Sequence, residues 1–239
     1  MHLCRIELLA DQYPTRDHYP FNLRVLQETR SIPLDSPVTF FVGENGTGKS
    51  TLLEALARRC GIHIWEGIPR GRYQASPYEG ALGRFVNVHW TDGPVPGSFF
   101  ASRIFRHFAQ LLDEMATNDP GQLRYFGGRS LMAQSHGESL LAFFGSRYRV
   151  EGLYLLDEPE TALSPRSQID LARLLGRMGA AGHAQFLIAT HSPILMACPG
   201  ATLYSFDHCP VRPIEYTDTE HYSVYRDFMA DPGAHFDPE

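Results

Sequence analysis

Val38-Thr39-Phe40-Phe41-Val42 runs directly into Gly43-Glu44-Asn45-Gly46-Thr47-Gly48-Lys49-Ser50, and the reading of this stretch decides the fold. The first five residues are apolar, aromatic or β-branched and lie between Pro37 and Gly43, as a buried strand does. The next eight match G-x-x-x-x-G-K-[ST] at every position. Glycines in such a loop let the backbone wrap inward, so that consecutive N–H groups point at one anion. From Lys49 the pattern turns helical, with Leu52, Leu53 and Leu56 on one side and an end near Gly61. That helix adds its N-terminal dipole and its unpaired N–H groups. Lys49 can bridge the β- and γ-phosphates of a nucleotide, and the Ser50 hydroxyl can ligate Mg²⁺. The nucleotide-binding set is Glu44, Asn45, Gly46, Thr47, Gly48, Lys49, Ser50 and Thr51. A strand before the loop and a helix after it are the context this chemistry demands.

Two further strands end in polar residues. Leu153-Tyr154-Leu155-Leu156 is an apolar run closed by Asp157-Glu158. At the carboxyl end of a buried parallel strand, Asp157 would face the same crevice as the phosphate loop and hold the Mg²⁺ shell. Glu158 would then polarise the water that attacks the γ-phosphate. Gln185–Thr190 is the next buried strand, and His191 follows it, placed to bond the γ-phosphate or the attacking water. A helix at 165–178 separates the two.

Outward from these, 3–9 and 85–90 read as strands and 62–97 is rich in Gly and Pro. Helical spacing predicts a helix over 99–116 and a second one from Gly137 through Leu140, Leu141 and Phe144. The tail after Pro210 reads as irregular, with a helix at 222–229. Strands alternating with helices predict an α/β fold around a mostly parallel sheet.

Composition narrows the function. At 43% apolar and 12% aromatic residues, the chain can bury a sizeable core. No run approaches the roughly 18 apolar residues of a membrane span. The start, Met1-His2-Leu3-Cys4-Arg5, is not a cleavable signal, so a soluble cytoplasmic protein is expected. The four cysteines and eleven histidines fall in no metal-ligand spacing. A net charge of −6 gives no global field toward nucleic acid, and Arg70/Arg72 and Arg147/Arg149 read as solvated faces.

Taken together, the phosphate loop, Leu155-Leu156-Asp157-Glu158-Pro159 and Thr190-His191-Ser192-Pro193 resemble an ABC-type P-loop ATPase head. The resemblance is strongest to the small stand-alone bacterial AAA_21-type ATPases, relatives of the SMC and DNA-repair heads. It implies one ABC-type domain over 1–239, with a small N-terminal antiparallel β-subdomain and a helical subdomain inserted at about 98–150. It also implies a signature helix, and Gln134-Ser135-His136-Gly137-Glu138-Ser139 stands 22 positions before Asp157 counted from Ser135. By resemblance Ser135 and the Gly137 amide would contact the γ-phosphate bound to a second copy, with Glu138 in the same signature supplied in trans, in an ATP-dependent head-to-tail homodimer. His136 replaces the family's first glycine. Glu160-Thr161-Ala162-Leu163-Ser164 is similar to the dimer-crossing loop. The glutamine-loop position falls in Ser98–Arg103, which holds neither Gln nor an acid. Tyr13, Tyr19 and Phe21 are candidates for stacking on adenine, and Asp218-Thr219-Glu220-His221-Tyr222 matches family members without an evident role.

The expected activity is Mg-dependent hydrolysis of ATP, with Lys49, Glu158 and His191 as its machinery and a link to DNA repair or defence by analogy alone. The alternative is an ATP-gated interaction module or a transporter-associated ATP-binding subunit with slow hydrolysis. A P-loop kinase for a small metabolite would need neither the signature nor His191. Only 85 residues separate Lys49 from Ser135 and they carry no heptads, so the head has no coiled-coil arms.

Overall fold

The computed structural model describes residues 1–64, 76–102, 110, 113–114, 116, 121 and 136–236. Among the described residues nine strands form two sheets: β1 (Leu3–Leu8), β2 (Ser31–Pro33), β3 (Val38–Val42), β4 (Val86–Trp90), β5 (Gly97–Ala101), β6 (Gly152–Asp157), β7 (Ala184–Ala189), β8 (Thr202–Ser205) and β9 (Arg212–Ile214). The larger sheet has the order β5-β6-β7-β3-β8-β9. Its first five strands are parallel and β9 closes the edge antiparallel to β8. The smaller sheet, β2-β1-β4, is antiparallel throughout. The helices are α1 (Arg24–Glu28), α2 (Lys49–Arg59), α3 (His136–Arg147), α4 (Pro165–Ala180), α5 (Pro193–Met196) and α6 (Glu220–Ala230).

β3, β6 and β7 are buried at every position, which is why they read as continuous apolar runs. Successive side chains leave a strand on opposite faces. Phe41, Leu155 and Leu187 therefore pack with α2 and the smaller sheet, through Leu52, Leu53, Leu56 and Ile6. Phe40, Leu156 and Ile188 pack on the other face with Leu140 and Phe144 of α3 and Leu171 and Leu175 of α4. Gln185 is the exception in β7, and its amide explains it. Its Oε1 accepts from the Leu3 amide at 2.7 Å while its Nε2 donates to the Leu3 carbonyl at 2.7 Å, splicing the small sheet to the large one.

Several expectations need correction. The helix expected over 99–116 cannot begin there, because 97–101 is the edge strand β5, paired parallel to β6. Phe99 enters one core and Phe100 the other, a strand's alternation. The described residues beyond it, Ser102, Gln110, Asp113, Glu114 and Ala116, are helical. The tail is more regular than expected: β9 lies within it, and the helix expected at 222–229 spans Glu220–Ala230. Helix α4 starts where the sequence provides a start, with the Ser164 side chain accepting from the Ser167 amide and Pro165 at the first turn.

Candidate functional site

The parallel strands bring their carboxyl ends to one edge, where Asp157 lies beside Ala101 on one side and Ala189 on the other. The loop after β3 rises at that edge. Gly43, Gly46 and Gly48 have φ of +138°, +80° and +104°, a region closed to most side chains. Gly48 is the N-cap of α2 and has no side chain with which to cap it, which leaves the first-turn N–H groups for an anion. Thr47 Oγ1 braces the loop by donating to the Glu44 carbonyl at 2.9 Å.

Lys49 is only 4% exposed and is folded over the loop, its Nζ donating to the carbonyls of Gly43 at 2.6 Å and Glu44 at 2.7 Å. Burial lowers its pKa, while Asp207, Glu158, Asp157 and Glu44 pull it back up. One buried cation thus sits among four acids. Ser50 Oγ donates to Asp157 Oδ1 at 2.6 Å, so a hydroxyl and a carboxylate converge from the helix start and the strand end. Hard oxygen donors of this kind suit Mg²⁺, which keeps waters and phosphate oxygens among its ligands. Among the described residues no group of three His, Cys, Asp or Glu side chains could hold a metal without such help.

Glu158 is, among the described residues, the one non-glycine with a left-handed backbone, at φ 48° and ψ 54°. Such a conformation costs about 1 kcal/mol and persists only when its surroundings fix it. Here the Glu158 amide donates to the Ala189 carbonyl at 2.9 Å, and its own carbonyl accepts from Ser102 Oγ and from the Thr161 amide. The turn swings the Glu158 carboxylate, 43% exposed, toward His191, whose Nε2 lies 3.8 Å from Glu158 Oε1. Burial lowers the His191 pKa, and Lys49 and His221 lower it further against Glu158 and Glu44, which favours the neutral ring. Its backbone is pinned too, the His191 amide donating to Glu160 Oε1 at 2.7 Å. Burial raises the Glu160 pKa, and its Oε2 is buried without a hydrogen-bond partner.

Of the sequence-derived residues, the structure gathers Glu44, Thr47, Lys49, Ser50, Asp157, Glu158 and His191 at one edge. Ser135 lies outside the described residues. Gly137 and Glu138 open α3, and Glu138 is exposed. Tyr13 and Phe21 belong to an aromatic cluster with Phe85 in the core. Tyr19 is 45% exposed with its hydroxyl 3.0 Å from Thr51 Oγ1, so it alone of the three stands beside the loop.

Asp207 escaped the sequence reading altogether, and Ser102, Glu160 and His221 appeared in it only within longer stretches, without the contacts they make here. Asp207 follows β8, where the Phe206 amide donates to the Val42 carbonyl at 2.8 Å. Its Oδ1 accepts from the Glu44 amide at 2.7 Å and would lie 2.8 Å from a Cβ added to Gly43. Gly43 is therefore required by that carboxylate as well as by its own φ. His221, on α6, places its Nε2 3.1 Å from His191 Nδ1. An acid closing the short, mostly apolar stretch Leu203-Tyr204-Ser205-Phe206 is the one sequence signal that could have drawn attention to Asp207.

Known proteins resemble this chain in sequence and in fold. A family model described as "AAA domain, putative AbiEii toxin, Type IV TA system" matches residues 121–197, and one described as "AAA domain" matches residues 21–61. The cytochrome c biogenesis ATP-binding export protein of Rhodospirillum rubrum is 31% identical over 179 residues, covering 70% of this chain and 72% of that protein. The hemin import ATP-binding protein of Bradyrhizobium diazoefficiens is 31% identical over 165 residues, and the chain spans 61% of its length. Among solved structures, cbiO1 from Clostridium perfringens, part of the ABC transporter complex cbiONQ, superposes with a TM-score of 0.55 at 16% identity, covering 97% of this chain and 96% of that one. An ATP-binding cassette of an ABC transporter in its ADP conformation gives a TM-score of 0.52 at 14% identity, with the same two coverages of 97% and 96%. At such identities the likeness is one of fold.

Proposed function

This chain belongs to the ABC-type P-loop ATPases, and on that premise we propose that it hydrolyses Mg-ATP in a composite site shared by two copies. The loop amides from Gly46 to Ser50 and the Lys49 ammonium hold the β- and γ-phosphates, with Glu44, Asn45 and Thr51 flanking them. Ser50 and Asp157 would hold the Mg²⁺ that accompanies ATP, which would supply charge neutralisation at the phosphates. Glu158 orients water for in-line attack and takes its proton. The bond from the γ-phosphorus to the β–γ bridging oxygen breaks, and ADP and phosphate leave. His191 donates a hydrogen bond to the γ-phosphate. Ser135, Gly137 and Glu138 complete the site from the opposite copy, so ATP closes the dimer and hydrolysis opens it.

The observation that supports this reading best is the facing pair of Glu158 and His191, 3.8 Å apart, beside the Ser50–Asp157 contact of 2.6 Å. A phosphate-binding loop alone would need neither. Phosphate release from Mg-ATP tests it: turnover that stops on chelating the metal is expected, and no phosphate above the uncatalysed background would overturn it.

A second reading has its own support. Both curated relatives are named as ATP-binding proteins of import or export, so the chain can serve as the ATP-binding subunit of a transporter. No described helix is long and apolar enough to cross a membrane. Turnover stimulated by membranes of the source cell would favour this reading, and turnover stimulated by DNA a repair or defence role.

A further inference from the structure

The stretch Asp218-Thr219-Glu220-His221-Tyr222 has no part in the scheme above, yet it delivers a side chain to the site. Thr219 is 3% exposed and caps α6, its Oγ1 accepting from the Tyr222 amide at 3.2 Å and donating to the Tyr216 carbonyl at 2.8 Å. Tyr222 packs its ring on Tyr216, with centroids 4.8 Å apart. The cap and the ring contact fix where α6 begins. His221 stands in that first turn, and α6 packs on α5, which starts at Pro193, two residues beyond His191. The imidazoles of His191 and His221 then meet nitrogen to nitrogen at 3.1 Å.

We propose that His221 is a positioning residue that sets the tautomer of His191, presenting its Nε2–H toward Glu158 and the γ-phosphate. The proposal rests on the role given above to His191. Two ring nitrogens at this distance need one hydrogen between them, and a neutral imidazole carries one ring proton. His191 has two neighbours to satisfy. On the Nε2 side stands the Glu158 carboxylate, 3.8 Å away, and a phosphate oxygen would have the same chemistry: both only accept. On the Nδ1 side stands His221 Nε2, which can donate or accept. A proton on His191 Nε2 suits the acceptor and leaves a lone pair on Nδ1, which His221 Nε2–H fills. The opposite tautomer would aim a lone pair at a carboxylate. Burial, then Lys49 and His221, weigh against a second proton on the ring, and Glu158 and Glu44 are the acids that oppose them. Fixing a tautomer through the far nitrogen is how an outer partner controls a working histidine.

The test is an imidazole ¹⁵N spectrum of the full chain near pH 8 without nucleotide, with His191 assigned by its loss in His191→Ala. The expected result is the Nε2–H tautomer for His191 in the wild type. It should become a tautomer mixture in His221→Leu and return in His221→Gln, whose amide N–H can replace the donor. A wild-type His191 protonated at Nδ1, or a signal unchanged in His221→Leu, would overturn the proposal. If His221→Leu does not fold, the wild type and His221→Gln still decide it. In turnover, His221→Leu should lose about tenfold in kcat with KM for ATP within about twofold, and His221→Gln should recover most of it. The spectrum judges the tautomer and phosphate release judges the role of His191, so the two failures are distinguishable.

Discussion

The phosphate loop and the segment running from β8 to α6 reach the same cluster of charges by different routes. The loop works through its backbone: Gly43, Gly46 and Gly48 take conformations closed to other residues, so its work is written as a pattern of glycines. The later segment works through two side chains, Asp207 and His221, neither of which stands on left-handed backbone. Asp207 holds the loop's first amide and His221 meets His191, and neither requires an unusual neighbour in sequence. Function that constrains the backbone leaves a spaced signature. Function that needs one side chain at the right place shows only when the chain has folded.

Substitutions can break this comparison, beginning with the largest effect. Lys49→Ala removes a buried cation on which Asp207, Glu158, Asp157 and Glu44 act. ATP affinity measured by calorimetry should fall by about 100-fold or more, and phosphate release should vanish. ATP bound within a few-fold of wild type would show that the loop amides suffice alone. The later segment is probed by Asp207→Ala, which leaves the Glu44 amide without its acceptor. Thermal melting should drop by about 2–4 °C, and ATP affinity should weaken about tenfold as the loop loosens. Asp207→Asn keeps an acceptor and sheds a negative charge facing the phosphates, so its affinity should equal or exceed wild type. If alanine and asparagine behaved alike, the hydrogen bond would not be what Asp207 contributes.

The smallest effect separates bracing from chemistry. Burial raises the Glu160 carboxyl above its ordinary value of 4.5. The folded protein therefore keeps a proton that the unfolded chain has released. The stability this group contributes is full below about pH 4.5 and is lost as pH rises through the folded value. Glu160→Gln mimics the protonated form at every pH and can still accept from the His191 amide. Its melting temperature should exceed wild type by about 2 °C at pH 8, and the gain should shrink toward pH 5. A gain that grew on acidification would reverse the assignment.

Much of the fold could be read from the sequence, for a physical reason. β3, β6 and β7 are buried on both faces, so their apolar runs are unbroken and their ends are marked by Gly43, Asp157 and His191. β5 was not legible, because Phe99 and Phe100 point to opposite cores while helical spacing resumes just beyond them. β8 and β9 have four and three residues, too short for a period to register. In the site, the residues at strand ends were legible. Ser102, Glu160, Asp207 and His221 act through contacts across the fold, which no local spacing encodes.

If ATP is shared between two copies, the mass of a hydrolysis-blocked variant reveals it most directly. Glu158→Gln keeps the shape and the oxygen acceptor of Glu158 while removing the base, so bound ATP should persist. Light scattering of this variant should show the protomer mass alone and twice that mass with Mg-ATP, with ADP giving no dimer. A mass that stays at one protomer with saturating Mg-ATP would contradict the shared site and leave Gly137 and Glu138 as the start of an ordinary helix.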